Sequence, residues 1–476
     1  MAARERQKVQ YGDLREYLEL LQKAGLLKRI TAPVDLKFEI GAICARALER
    51  KGPGLLFENI TGYEGKPLVS NIIYSVEQLA VAFNTVADID EIYAIIVEGH
   101  RNRLSSITLE TGPCKETVRY GGDIDLYEIP TPWWHELDGG QYIGTSSGIV
   151  TRDPDTGILN MGTYRCMIVD PKTLTSSGQI YGHIKKYEVK GLPTPVAVVM
   201  GMDPLLTLAS GSPVPPDAHG RMEYEAAGAW RGSPTELVKC ETSDLLVPAH
   251  AEVIIEGEVL PGTRMPEGPH GEAGGFYGQR LDAYPIQVKC ITHRRNPIAY
   301  GIICLLDEDY PRWLFRSGAF EARIKKESGL RSIRSAYFPE LGGRNWGGVI
   351  IAADIKDPAE AGKIIAEAWK IVPDRWVIVV DDDCDIRNWN DVMWRVVTNV
   401  RHGRDLYPGK AVRNGEKTGP VRGGRNPMAD IDNDIPDPTG IDATFRFKFD
   451  NLPPVNKVGK ELMAKVAARW KELGLP

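Results

Sequence analysis

Apolar positions in the first 110 residues recur at helical spacing. Leu14, Tyr17, Leu18 and Leu21 share one face of a helix that Asp13 opens, with Glu16 three residues on as the partner in a capping box and Gly25 as the stop. A second helix is predicted over residues 36–50, and a third opens at Ser75 with Gln78 closing its box. Residues 54–60 read as a strand between them. From about Cys114 to Leu306 the helical period fades and short β-rich runs take over at 148–152, 164–169, 194–200, 251–259 and 286–292. Gly/Pro-rich turns separate these runs, a pattern that suggests a barrel or a sandwich. Beyond Arg312 helix and strand alternate again. Asp357-Pro358 offers an N-cap and first-turn proline for a helix to Lys370, and a strand at 375–380 runs into Asp381-Asp382-Asp383. Residues 408–440 lack any period and read as a long loop. The last helix places Val455, Val458, Leu462, Val466 and Trp470 on one face, which suits packing on another subunit as well as on its own domain.

Length and composition narrow the class. A chain of 476 residues exceeds what one core serves, so two or three domains are expected. With 42% apolar and 26% charged residues it is too apolar to be disordered. A formal charge of −6 argues against a general nucleic-acid or anionic-membrane binder. The longest apolar runs, such as 297–306, fall well short of the ~20 residues of a spanning helix. No apolar run follows the basic N-terminus, so no secretory signal is expected. The seven cysteines are never closer than 14 residues apart, which is neither a disulfide framework nor a zinc knuckle. The expectation is a reduced, cytoplasmic protein.

Several formal motifs fail on context. Gly144-Thr-Ser-Ser-Gly148 fits a nucleophile elbow but is followed by a β-type run. His135-Glu136 begins a zincin motif, yet Gly139 stands where the second histidine belongs. Asp430, Asp432 and Asp434 imitate an EF-hand start, with Ile435 and Ile441 at the required glycine and glutamate positions. There is no Walker A sequence and no GxGxxG after a strand.

Two segments carry chemistry. Asn160-Met-Gly-Thr-Tyr-Arg165 leads into an apolar run, and an arginine there needs an anionic partner. Glu267-Gly-Pro-His-Gly-Glu272 forces a tight turn, so two carboxylates five residues apart can share one cavity. Two acids and an arginine in one pocket would leave one acid ionised and the other able to donate a proton. A surface turn with solvated acids, and an arginine paired to a neighbouring strand, stays open at this point.

The chain resembles the UbiD-like (de)carboxylases that use prenylated flavin mononucleotide (prFMN). The resemblance runs through Thr145–Ile149, Asp153–Gly157, Asn160–Arg165, His183, Glu223-Tyr-Glu-Ala-Ala-Gly228, Val238–Glu241 to Pro248, Glu267–Glu272, Asp381–Asp385 with Asn390–Trp394, and Gly440-Ile-Asp-Ala-Thr444. It implies that Asn160, His183 and Glu223 hold a divalent metal, Mn2+ or another, against the flavin phosphate, with K+ as a further ion. Glu225 competes for the third ligand; Glu223 is preferred because it opens the family's Glu-Tyr motif and stands 44 residues before Glu267. The cofactor set is Asn160, Thr163, Tyr164, Arg165, Gly182, His183 and Glu223. The catalytic set is Arg165, Glu267 and Glu272, with Glu272 as proton donor, Glu267 holding Arg165, and Arg165 facing the substrate carboxylate. Glycines 162, 268 and 271 would let the backbone turn close to the flavin, and Trp133, Trp134 and Trp313 are candidates to line a ring pocket, core packing being their more frequent fate. Gly182 stands where many relatives carry a larger polar residue. The segment 304–313 has no histidine, which weakens a hydroxybenzoate-type substrate.

The implied fold is a multidomain α+β one. An N-terminal α/β segment (1–110) precedes a central split, flavin-reductase-like β-barrel (111–310) and a C-terminal α/β oligomerisation domain (311–476). The implied reaction is reversible, non-oxidative decarboxylation of an aromatic or α,β-unsaturated carboxylic acid, or its CoA thioester. A flavin prenyltransferase would supply the cofactor, and a homodimer or homohexamer is the expected assembly. The main rival is a non-catalytic or carboxylating subunit of a multi-subunit aromatic carboxylase. A flavin reductase should show a dinucleotide fingerprint, and a two-carboxylate hydrolase would not need the set at 160, 183 and 223.

Overall fold

The first helix, Leu14–Lys23, buries Leu14, Tyr17, Leu18 and Leu21 on the predicted face. Asp13 accepts the Glu16 N–H at 2.9 Å, while the Glu16 carboxylate takes the N–H of Gly12 (2.6 Å), one residue earlier than a reciprocal box requires. At the third helix, Val76–Phe83, the Ser75/Gln78 box closes reciprocally as predicted. In this computed structural model the described residues are 7–176, 181–212, 214, 220, 222–272, 277–278, 280–305, 310–339, 348–373, 375–409, 437–445, 460–467, 469–470 and 472–473.

The N-terminal sheet holds Leu27–Ile30, Gly54–Phe57 and Leu68–Ser70, and its fourth strand, Ala299–Tyr300, returns from the end of the middle segment. One continuous apolar core therefore runs from Val9 to Ile303, binding the first two segments together. Charge reinforces the join. Glu252, fully buried, receives Arg15 through two hydrogen bonds (2.8 and 2.7 Å) and the Ile298 N–H (3.0 Å), and Arg294 bridges it to Asp13.

The middle segment is an antiparallel sheet. Its strands run in the order Leu159–Thr163, Gly148–Arg152, Thr194–Met200, Val253–Val259, Leu281–His293, Thr173–Ser176, Cys166–Asp170. The long strand Leu281–His293 also pairs with Thr117–Tyr120 and Met265–Glu267. The two outermost strands are consecutive in the chain, with only Tyr164 and Arg165 between them. A linker that short spans at most about 10 Å, so the sheet has to curl until its edges meet at that corner. The hydrogen-bonded path ends at those strands, leaving the curled sheet open among the described residues. The predicted strand at 164–169 thus starts later, at Cys166, because Tyr164 and Arg165 make the corner. The run at 286–292 is longer than its pattern suggests, since Pro285 interrupts the alternation yet still sits in register opposite Thr175.

In the C-terminal segment the sheet order is Ile333–Tyr337, Val349–Ala353, Val377–Asp381, Thr439–Asp442, Leu406–Pro408. Successive residues of Val349–Ala353 feed opposite cores: Val349 and Ile351 pack with Ile364 and Ile365, Ile350 and Ala352 with Val392 and Ile441. That is the two-sided burial expected of parallel strands. The helix predicted from Asp357-Pro358 begins at Glu360, with Ala359 as its N-cap. Asp357 instead closes a turn ahead of it by accepting the Ala359 N–H at 2.9 Å. Of the loop predicted at 408–440, residues 410–436 lie outside the described residues, and its end forms the strand Thr439–Asp442. The EF-hand-like Asp430, Asp432 and Asp434 also lie there. The last helix is Lys460–Ala467, with Leu462 and Trp470 exposed; Val455 and Val458 fall outside the described residues. Against the N-terminal segment, helix Tyr310–Ser328 packs on helix Ile89–Arg101, where Gly318 leaves room for the Tyr93 ring. No helix among the described residues is long and apolar enough to cross a membrane.

Candidate active site

Arg165 occupies the two-residue corner, and Glu267 ends the short strand Met265–Glu267, whose register places it opposite Leu281. The corner brings the guanidinium onto this carboxylate. Arg165 Nε and Nη2 donate to Glu267 Oε1 and Oε2 at 2.8 and 2.9 Å, a bidentate pair. The third nitrogen, Nη1, pairs with Glu272 Oε1. The carboxylates differ in setting: Glu267 is fully buried, whereas the Glu272 side chain is 37% exposed. Burial opposes the charge on Arg165, but hydrogen bonding and attraction to Glu267 prevail and raise its pKa. Arg165 is thus fixed as a cation with Glu267 as its anchor, and Glu272 stands at the open end with access to water.

The three residues that the resemblance assigns to a metal all lie at the strand pair Gly148–Arg152/Leu159–Thr163. Asn160 is the register partner of Thr151, and Thr151 Oγ1 lies 2.8 Å from His183 Nδ1. Glu223, the first residue of helix Glu223–Arg231, accepts the N–H of Met161, next to Asn160, at 3.2 Å. Burial pushes the Glu223 carboxyl up to about 8, with the Met161 N–H acting against it. A divalent cation would remove that cost. Burial also lowers the pKa of His183, which favours the neutral imidazole a metal requires. Amide, imidazole and carboxylate oxygen suit a borderline-hard divalent ion, so the residues fit the implied group. Among the described residues no group of three or more His, Cys, Asp or Glu side chains could hold a metal, and this set contains only two such side chains plus an amide. Glu225, the competing ligand, turns away to accept from Ser106 Oγ (2.8 Å) and the Met222 N–H (3.0 Å). Thr163 Oγ1 lies 2.7 Å from Ser210 Oγ, and Gly182 is exposed with open space at its Cβ position.

Some expectations change. A Cβ on Gly162 would meet the Tyr164 ring at 2.5 Å, and one on Gly271 the His135 ring at 2.5 Å. These two glycines make room for protein rings, while Gly268, at φ 92°, has the conformation the turn demands. Trp134 is core and Trp133 donates to the Asp138 carbonyl at 2.9 Å; the side chain of Trp313 lies outside the described residues. The sequence reading missed Tyr142, whose hydroxyl donates to Glu267 Oε1 at 2.9 Å, and Asp138, which accepts the Gly271 N–H at 2.8 Å. The signal for them was slight: Asp138-Gly-Gly is a turn signature with a tyrosine soon after it.

Three sequence models of one family match the chain in order. The 3-octaprenyl-4-hydroxybenzoate carboxy-lyase N-terminal domain covers residues 18–97, the Rift-related domain 106–305, and the C-terminal domain 318–414. Uncharacterized protein sll0936 of Synechocystis is 34% identical over 312 residues, 60% of this chain and 61% of that protein. The chain thus spans about three-fifths of the length of this curated relative. Among solved structures, an evolved dimeric form of the UbiD-class enzyme HmfF from Pelotomaculum thermopropionicum, in complex with prFMN, is 29% identical, with a TM-score of 0.80 over 95% of this chain and 99% of that one. The vanillic acid decarboxylase of Sedimentibacter hydroxybenzoicus, in its open form, is 27% identical, with a TM-score of 0.82 over 97% and 99%. With matches to all three of its domains and structural likeness along nearly the whole length, the chain belongs to the UbiD carboxy-lyase family.

Proposed function

We propose that the protein is a prFMN-dependent decarboxylase of an aromatic or α,β-unsaturated carboxylic acid, or its CoA thioester, and that the same site runs the reverse carboxylation. The observation that carries this reading is the Arg165 guanidinium held between a buried Glu267 and a half-open Glu272. Arg165 binds and orients the substrate carboxylate, Glu267 keeps the guanidinium in place, and Glu272 carries the proton. Losing CO2 from an sp2 carbon leaves an electron pair that no side chain can accept, and prFMN, when bound, supplies that electron sink. Glu272 then delivers its proton to the carbon that CO2 has left, and in carboxylation removes it from the same carbon. Asn160, His183 and Glu223 would hold Mn2+ or a related divalent ion against the flavin phosphate, and K+ stays as the resemblance implies it.

The curled sheet fits a split barrel, because its edge strands meet at the Tyr164-Arg165 corner. Residues 1–110, 111–310 and 311–476 are the proposed units, the first two sharing a core. The reading extends to assembly as a homodimer or homohexamer in the cytoplasm and to loading by a flavin prenyltransferase. The test is the absorbance spectrum and mass of the cofactor released from protein made with and without that prenyltransferase. Prenylated flavin is expected only in the co-expressed sample. Unmodified FMN alone, or no flavin, in that sample would sink the proposal.

A further inference from the structure

Within the segment 135–142, His135, Asp138, Gly139 and Tyr142 touch the turn between the two acids. Tyr142 Oη lies 2.9 Å from Glu267 Oε1 and 3.2 Å from the Pro269 carbonyl. The Gly139 N–H donates to that carbonyl at 2.7 Å. Asp138 Oδ1 accepts the N–H of Gly271, the residue before Glu272, at 2.8 Å, while its Oδ2 accepts the His135 N–H at 3.0 Å. Gly139 lies so close to the turn that a Cβ there would stand 2.2 Å from the Gly268 carbonyl oxygen. The Tyr142 ring is itself braced by the buried His270 ring, centroids 4.1 Å apart.

We infer that Tyr142, with Asp138 and Gly139, is a positioning element that sets the placement of Glu267 relative to Glu272 and thereby how Arg165 is divided between them. This rests on the proposed function for its chemical meaning, but the clamp itself is a property of the fold. The Tyr142 hydroxyl donates to the same Glu267 oxygen that Arg165 Nε uses, so it shares in neutralising that carboxylate. Without it, Glu267 draws harder on Arg165, and Glu272 loses part of its cationic partner and meets more negative charge. Proton binding at Glu272 should then persist to higher pH. Among the described residues the titratable and charged groups around the two acids are Arg165, Tyr142, Asp138, His135, His270, Tyr277, Cys166 and Cys304, and burial pushes the Cys166 thiol up to about 12. Burial holds His270 below its ordinary pKa, and hydrogen bonds from His135 and Gly271 outweigh burial to hold Asp138 well below the usual carboxylate range.

The test uses the full chain loaded with FMN and benzoate as a non-reacting carboxylate, with binding followed by the flavin absorbance. Benzoate competes with ionised Glu272 for Arg165, so its affinity should fall as pH rises through a midpoint. Tyr142→Phe should move that midpoint upward by on the order of one pH unit, the size expected when a charge-assisted hydrogen bond is lost. Gly139→Ala, which alters no charge but pushes on the turn, should speed amide hydrogen exchange in the peptide spanning residues 267–272 by about tenfold or more, for a hydrogen-bond-sized loss of protection. An unmoved midpoint in Tyr142→Phe together with unchanged exchange in Gly139→Ala would overturn the clamp. Should wild type not bind benzoate at all, the proposed function is what fails, and the exchange measurement alone decides the clamp.

Discussion

Glu272→Gln is expected to keep the flavin and the fold and to lose turnover by about 10²–10⁴-fold, the usual contribution of a placed general acid. The substitution is nearly isosteric, and the amide oxygen can still accept from Arg165 Nη1, so the guanidinium keeps its orientation. What disappears is the proton, because an amide at this position has none to give at neutral pH. The half-open setting of Glu272 makes the experiment clean, since no buried charge is stranded by the change. Turnover and bound flavin are measured on the same sample. Activity within a few fold of wild type, at full flavin content, would refute the assignment of Glu272 as the proton donor.

How legible was this site beforehand? The local parts could be read. Arg165 before an apolar run had to have an anion, and the Gly/Pro turn of 267–272 announced two acids close together. The strands at 148–152 and 194–200 have the predicted limits because each is a short β-type run bounded by turn residues, Asp153-Pro154 after the first and Pro193 and Gly201 on either side of the second. What could not be read is what depends on partners far along the chain. Asp138 and Gly271 are 133 residues apart, and Tyr142 and Glu267 are 125 apart, so no spacing in the sequence points from one to the other. The corner itself was blurred for a related reason. Tyr164 and Arg165 read as the start of the β-rich run at 164–169, and only the order of strands in the sheet shows that the chain must turn there. Asp357-Pro358 looked like a helix start, but the proline supports a turn that precedes the helix. Glycines 162 and 271 were visible as places of close approach, while the ring that approaches each depends on the tertiary fold.

Arg165→Met should be the most destabilising change at the site. Glu267 is fully buried, and the mutation removes both donors of its bidentate pair, leaving a carboxylate in the interior with its main counter-charge gone. Breaking a buried ion pair from one side costs about 3–5 kcal/mol. The double variant Arg165→Met/Glu267→Gln removes both charges, and Tyr142 can still donate to the glutamine oxygen at 267. Replacing a buried pair as a unit is often close to neutral, so the double variant should regain most of the loss, with a coupling of a size that neighbouring residues show. Denaturant unfolding of wild type, both singles and the double closes this cycle. A cost below about 1 kcal/mol for Arg165→Met would mean that burial is not what makes the pair obligatory. Activity separates from stability in the same four proteins. The double variant, however stable, has no guanidinium for the substrate carboxylate and should remain inactive. If it recovered turnover together with stability, Arg165 would be a scaffold for Glu267 rather than the group that receives the substrate.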